Sequence, residues 1–349
     1  MKQLNLKSEI HYFDTCEQFI GEFNITDQDL IFTNEFNYRS FAKHITAKPM
    51  VIFKENYSRA EPTDLLIDNI IFDISSFEYN RVIAIGGGSI IDIAKVLALS
   101  NVSSTESLFL RQIPILKEKP LVVIPTTVGT GSEVTNVTIT AMESMETKLG
   151  LADDRLFPDY AVLIPEALQN LPFSVFVTSS IDALVHASES FLSPKATPFS
   201  RMYSIEAIKL ILTNYQKIVA EGKDSYKKYL KEFLYASNYA GLAFGLAGTA
   251  VVHAMAYPLG GKYHVPHGEA NYQFFVACFK KYLNKKSSGE IDIIIRLFAE
   301  LLACEKSEAL DRLNSLLASL LPQKALCAYG MADKECADFA KSVIESQQR

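Results

Sequence analysis

In Arg81-Val82-Ile83-Ala84-Ile85-Gly86-Gly87-Gly88-Ser89-Ile90-Ile91-Asp92-Ile93-Ala94-Lys95 a continuous apolar run enters three successive glycines and leaves with helical spacing. A strand that does not alternate is what a parallel sheet covered by helices on both faces requires. The turn at Gly86, Gly87, Gly88 and Ser89 would aim backbone N–H groups at a phosphate with no Cβ in the way. Ile91 occupies the third glycine position of G-x-G-x-x-G, so the standard dinucleotide fingerprint is not met. Taken alone, the stretch is equally a tight turn without a ligand. Asp92, in the first turn of the helix, is a candidate for orienting cofactor or substrate; a carboxylate favoured by the helix dipole is the simpler reading.

On either side of this unit, Leu30-Ile31-Phe32, Met50-Val51-Ile52-Phe53 and Leu121-Val122-Val123-Ile124 repeat the buried-strand pattern, and Asp64 to Phe72 has amphipathic helical spacing. This βαβ alternation predicts a doubly wound sheet. The strand at Leu121 runs into Pro125-Thr126-Thr127-Val128-Gly129-Thr130-Gly131-Ser132-Glu133, a second small, hydroxyl-rich loop at a carboxyl end. Two such loops one strand apart point to one extended ligand, a dinucleotide. Asn136 to Thr140, Lys148 to Leu151 and Ala161 to Ile164 are expected to extend the sheet with antiparallel strands.

After Leu171-Pro172 the texture turns helical, with long spans at Ser200 to Val219, Ser225 to Asn238 and Ile291 to Leu317. The expected division is 1–172 as an α/β dinucleotide-binding domain and 173–349 as a helical domain, with Ser174 or Thr178 capping the first helix and the active site in a cleft between the halves. In this second half Asp182 and His186 stand at i and i+4 among small and apolar neighbours. His253, His264 and His267, three of the six histidines, follow within fifteen residues. A hydrogen-bonded Asp–His pair would explain the first two alone, but the joint His₃-carboxylate set suits Fe²⁺ or Zn²⁺.

The chain has 349 residues, enough for two domains at about 100–200 residues each. A net charge of −6 and a pI near 5.6 argue against binding to nucleic acid or an anionic membrane surface, which needs a basic face. Mean hydropathy is +0.10 and only 21% of residues are charged. From Phe233 to Gly261, 29 residues carry no Asp, Glu, Lys or Arg, longer than the ~20 of a spanning helix. Its six glycine and proline interruptions and His253 mark it instead as a helix buried in protein, with Pro258 and Gly260-Gly261 turning the chain toward His267. The first nine residues lack an apolar signal core, so a cytoplasmic protein is expected. Five scattered cysteines with no Cys-x-x-Cys pair fit reduced thiols and leave any metal to His and carboxylate.

Gly86-Gly87-Gly88-Ser89-Ile90-Ile91-Asp92, Thr126-Thr127-Val128-Gly129-Thr130-Gly131-Ser132-Glu133, Asp182-x-x-x-His186-Ala187-x-Glu189 and Pro266-His267-Gly268 resemble the iron-containing (group III) alcohol dehydrogenase family over nearly the whole chain. Within it the likeness is greatest to the bacterial 4-hydroxybutyrate dehydrogenases, through Phe32-Thr33-Asn34-Glu35-Phe36, Phe176-Val177-Thr178-Ser179-Ser180, Ser237-Asn238-Tyr239-Ala240-Gly241 and Tyr263 to Tyr272. The resemblance implies a doubly wound α/β nucleotide-binding domain followed by an all-α domain, the dehydroquinate synthase-like architecture. It implies metal ligands at Asp182, His186, His253 and His267, a pyrophosphate loop at Gly86 to Ser89, a second cofactor loop at Thr126, Thr127, Gly129 and Thr130, and a nicotinamide-side lysine at Lys148. NAD, Fe²⁺ (or Zn²⁺), a small alcohol or aldehyde substrate and a homodimer follow from the same likeness.

Two departures from the family pattern stand out. Asn34 replaces the Asp that many relatives place against the adenosine ribose. Tyr257 replaces a further His linked to proton release, which leaves His264 as the candidate relay. The expected reaction is metal-assisted hydride transfer between 4-hydroxybutyrate and succinate semialdehyde. The alternatives are another small alcohol or diol in the same family and, further off, a metallohydrolase or a dinucleotide-binding sensor. Lys262 and Arg201 are cations of the right type to hold a substrate carboxylate, though solvated surface charge explains each.

Overall fold

The computed structural model describes residues 3–4, 6–58, 62–145, 147–332 and 334–346. The chain forms two compact units, Leu6–Leu171 and Met1–Asn5 together with Pro172–Arg349. In the first, the elements run β1 (Glu9–Tyr12), α1 (Cys16–Phe23), β2 (Asp29–Thr33), α2 (Glu35–Ala42), β3 (Met50–Phe53), α3 (Asp64–Ile74), β4 (Arg81–Gly86), α4 (Gly88–Leu97), α5 (Thr105–Phe109), β5 (Leu121–Pro125), β6 (Val137–Met142), β7 (Thr147–Ala152) and β8 (Tyr160–Leu163). Six strands make one parallel sheet in the order β1-β8-β5-β4-β2-β3.

Both faces of that sheet are buried. Leu30, Phe32, Val82, Ala84, Leu121 and Val123 pack with Ile67, Ile70, Ile91 and Ala94 of α3 and α4. Their neighbours Ile31, Ile83, Ile85, Val122 and Ile124 face the other way, onto Phe19 and Phe41 of α1 and α2. Successive side chains point to opposite faces, so a strand covered twice must be apolar at every position.

The direction in which strands are added to the sheet reverses between β2 and β4, because β3 lies outside β2 and the next crossover returns to β2's other side. In open α/β sheets, ligands bind outside the carboxyl ends at such a reversal. This pair of strands is tied at both ends. At the amino ends Arg81 forks onto Asp29, Nε to Oδ1 and Nη2 to Oδ2, both at 2.7 Å. At the carboxyl ends Thr33 Oγ1 donates to the Ile85 carbonyl at 2.7 Å.

The expected antiparallel extension is corrected in two ways. Residues 137–142 and 147–152 do pair antiparallel, but as a separate two-stranded sheet. Helix α4 supplies its polar partners: Lys95 Nζ donates to the Val137 carbonyl at 2.6 Å, and Asp92 Oδ2 accepts from Ile139 N at 3.2 Å. Ala161 to Leu163 lie in β8 of the parallel sheet, between β1 and β5, and Ile164 directly follows it.

In the second unit the helices are α6 (Phe173–Leu192), α7 (Pro198–Glu221), α8 (Leu230–Ala247), α9 (Val251–Tyr263), α10 (His267–Lys285), α11 (Glu290–Leu301), α12 (Ala309–Leu320) and α13 (Glu335–Ser346). Pro172 is the N-cap of α6, and neither Ser174 nor Thr178 caps it. The span Ile291 to Leu317 is two helices, parted where Ala303 turns left-handed at φ 49°. The charge-free stretch is likewise two helices, bent by 104° at Gly248, whose φ of 75° ends α8. Helix α9 continues through Pro258, Gly260 and Gly261, so these do not make the turn toward His267; left-handed His264 (φ 54°) does. Among the described residues no single helix is long and apolar enough to cross a membrane; the bent pair passes only by length and composition. All five cysteines are free thiols.

Burial holds the Asp92 carboxyl up at about 6, above its ordinary 3.8, against the opposing pull of Lys95 and the Ile139 N–H. The stability this group contributes is therefore full below pH 3.8 and is lost as pH rises through about 6. Asp92→Asn has no titrating proton and stays neutral at every pH of interest. In urea unfolding we expect the variant to gain about 2 kcal/mol on the wild type between pH 4 and pH 7; a difference that does not change with pH contradicts the assignment.

Candidate metal centre and dinucleotide loops

Three helix termini or faces converge on one buried carboxylate. Asp182, His186 and Glu189 lie at i, i+4 and i+7 on α6, one face of that helix, and all three are buried. His253 stands in the first turn of α9 and His267 is the first residue of α10. Asp182 Oδ1 lies 3.8 Å from both His253 Nε2 and His267 Nε2, and its Oδ2 lies 3.9 Å from His186 Nδ1. One donor atom from each of the four lies within 4.8 Å of the others.

The three separations from Asp182, 3.8 to 3.9 Å, are too long for hydrogen bonds and short enough for a shared cation. Two donors about 2.1 Å from one ion stand no more than about 4.2 Å apart. His253 Nε2 is buried with no hydrogen-bond partner, an orphan that a metal would satisfy. Burial alone would raise the Asp182 carboxyl, but His186, His267 and His253, with a hydrogen bond from Asn271, hold it below the ordinary carboxylate range. The donor set of three imidazoles and one carboxylate fits Fe²⁺ or Zn²⁺.

The surroundings fix the rings. His186 stacks on Phe244 and on His253, both at 4.5 Å between centroids, and the Tyr257 ring lies 6.1 Å from that of His267. Asn271, one turn beyond His267, donates from Nδ2 to Asp182 Oδ1 at 2.7 Å. A Cβ on Gly268 would collide with the Thr178 carbonyl of α6, so only glycine lets α10 bring His267 this close.

In the other unit the two loops of the sequence reading meet each other. A Cβ on Gly87 would stand 3.0 Å from Thr127 Cγ2, and one on Gly88 would stand 2.9 Å from Thr130 Cγ2. The N-cap Gly87 has an ordinary φ of −79°, so these glycines provide room rather than an unusual backbone. No side chain caps α4, which leaves its N-terminal N–H groups to a ligand. Thr126 is buried, Thr127 and Ser89 are half-buried, and Gly129 lies in the same loop. Asn34 is the N-cap of α2, directly after β2, and its side chain makes no cap bond. Lys148 is exposed on β7, opposite Ala141.

The other expected residues are not among the four that group as possible ligands. Asp92 is engaged by the β6 backbone, and His264 is exposed in the left-handed turn after α9. Arg201 pairs with Glu290 at 3.1 Å, and Lys262 pairs with Glu335, so both charges are already matched. Sequence reasoning assigned no role to Asn271 or Glu189. Glu189 Oε2 lies 2.7 Å from His253 Nδ1; burial alone would raise its carboxyl, but His253 and the Ala250 and Val252 N–H groups hold it below its usual value.

Comparison with known proteins bears on this geometry directly. Residues 13–165 match the family described as iron-containing alcohol dehydrogenase, and residues 176–349 match its C-terminal counterpart. The chain belongs to the iron-containing alcohol dehydrogenase family. Among curated members it is 48% identical to a 4-hydroxybutyrate dehydrogenase of Clostridium kluyveri, over 100% of this chain and 94% of the relative. It is 34% identical to long-chain-alcohol dehydrogenase 1 of Geobacillus thermodenitrificans, over 78% of this chain and 70% of the relative. Among solved structures, sulfoacetaldehyde reductase from Bifidobacterium kashiwanohense, crystallised with NAD⁺, superposes with a TM-score of 0.84 at 22% identity, covering 98% of this chain and 92% of that one. The last likeness is one of fold: a parallel-sheet unit followed by a helical one.

The tight approach at Gly268 gives a direct test. Gly268→Ala must push α10 off α6, at about 1–3 kcal/mol for an overpacked contact, and carry His267 with it. We expect a folded protein whose bound metal, measured by inductively coupled plasma mass spectrometry after dialysis against Zn²⁺, falls well below that of the wild type. Undiminished metal would contradict the placement of His267.

Proposed function

We propose that this chain is an NAD-dependent, Fe²⁺- or Zn²⁺-dependent alcohol dehydrogenase of the cytoplasm, a homo-oligomer that interconverts 4-hydroxybutyrate and succinate semialdehyde. The observation that carries the substrate is the 48% identity over the full chain to the clostridial relative. The chemistry rests on the cluster of Asp182, His186, His253 and His267 in a family defined by its iron.

Asp182, His186, His253 and His267 hold the ion. Bound there, it supplies Lewis acidity toward the alcohol or aldehyde oxygen, while NAD supplies the hydride acceptor. Asp182 offsets positive charge, and the Phe244 and Tyr257 rings keep their histidines in orientation. Gly86, Gly87, Gly88 and Ser89 present the N-terminus of α4 to the pyrophosphate, with Thr126, Thr127, Gly129 and Thr130 beside them. Asn34 receives the adenosine ribose through its amide oxygen. Glu35, the next residue, pairs with Arg39 at 3.0 Å, and NAD rather than NADP is the proposed cofactor. Lys148 serves the nicotinamide side, and His264 the release of the alcohol proton.

With 4-hydroxybutyrate and NAD after loading with Fe²⁺ or Zn²⁺, we expect reduced nicotinamide to form at 340 nm, faster than with glycerol, butanol or propanediol and faster than with NADP. Preference for one of those alcohols contradicts the substrate. No turnover of any alcohol, with NAD still bound, contradicts the dehydrogenase reading. His186→Ala and His267→Ala should each lose more metal affinity than the about 10–100-fold that follows loss of a ligand's hydrogen-bond partner. For the relay, the pH–rate profile of His264→Ala decides, with Tyr257→Phe as the comparison: an unchanged profile removes His264 from the role.

A further inference from the structure

Glu189 offers one carboxylate to two different structures. Helix α9 begins at Val251 with Ala250 as its N-cap and has no side-chain cap of its own. Its first N–H groups would be orphaned in the interior. Glu189, fully buried on α6, takes three of them: Oε1 accepts from Val252 N at 2.6 Å, and Oε2 accepts from Ala250 N at 3.0 Å and His253 N at 3.3 Å. The same Oε2 lies 2.7 Å from His253 Nδ1.

Resting on the metal reading above, we infer that Glu189 is the positioning residue of the metal centre, fixing His253 as its Nδ1–H tautomer so that Nε2 is presented to the ion. A carboxylate in this state can only accept, so His253 Nδ1 must carry the proton. A neutral imidazole then has its lone pair on Nε2. That nitrogen is the buried atom without a partner, 3.8 Å from Asp182 Oδ1. The i, i+7 spacing of Asp182 and Glu189 on α6 sets both distances at once: one carboxylate stands on the metal side of the ring, the other on its far side. Because Glu189 also holds the first turn of α9, the position of that helix end and the direction of the His253 ring are one adjustment rather than two.

The test uses ¹⁵N-histidine-labelled full-length chain, with His253→Gln to assign the resonance. In the Zn²⁺-loaded wild type we expect the His253 proton on Nδ1, with Nε2 bonded to the ion. The Nε2–H tautomer there would overturn the proposal whatever the variants do. Glu189→Gln keeps the volume and one acceptor oxygen, but its amide NH₂ must oppose either His253 Nδ1 or the Val252 N–H. We expect the tautomer to become mixed or reversed and the affinity for Co²⁺, read from its visible absorption, to fall about 10–100-fold, with the far-ultraviolet circular dichroism retained. A mere helix cap would alter thermal stability and leave tautomer and Co²⁺ affinity in place, which would overturn the proposal. Wild-type protein that takes up no Co²⁺ contradicts the metal reading itself; wild-type uptake with equal affinity in Glu189→Gln contradicts only the role of Glu189.

Discussion

A carboxylate buried in the middle of a helix, away from water, is tolerable only among opposite charge and donors. Asp182 is such a group, at 3% exposure, and the helical unit is arranged around that constraint. Helix α6 carries it, the start of α9 brings His253, the start of α10 brings His267, and Asn271 donates to the oxygen those two histidines face. The 104° bend at Gly248 follows from the same need, since a straight α8–α9 helix could not present an N-terminal turn to Glu189. Absence of charge from Phe233 to Gly261 goes with helices that bury Phe233, Leu234, Ala240 and Leu242 of α8 and Val252, Ala256 and Leu259 of α9 within the helical unit.

Glycine does comparable work in both units, and by the same means. At Gly87, Gly88 and Gly268 the backbone is not left-handed; a side chain simply has no space. In the first unit that space is filled by Thr127 and Thr130 of the second loop, so the two loops meet at the carboxyl ends of β4 and β5. In the second it is filled by the Thr178 carbonyl, which sets the distance between α6 and α10. Each close approach puts a functional group within reach: helix-terminal N–H groups in one case, an imidazole in the other.

Much of this was legible in the chain. Unbroken apolar runs at Leu30, Val82 and Leu121 meant strands covered twice, and i, i+4 spacing put Asp182 and His186 on one face. The hairpin at Val137 was misjudged because its partners, Lys95 and Asp92, are helix side chains some forty residues earlier, and strand patterning does not register them. Glu189 carried no signal of its role because its donors lie 61 to 64 residues away and are mostly backbone. The Pro258 and Gly260 turn was expected from local propensity, yet α9 runs on through them and ends only where His264 turns left-handed. Local rules locate elements; long-range partners decide where they bend.

The central claim is that Asp182, His186, His253 and His267 together hold one divalent ion. X-ray absorption fine structure at the zinc edge of the Zn²⁺-loaded protein tests it most directly. The account predicts a first shell of nitrogen and oxygen at about 2.0–2.2 Å with the outer-ring signature of three imidazoles. A sulfur shell near about 2.3 Å, or a shell of oxygen alone without imidazole, would contradict it.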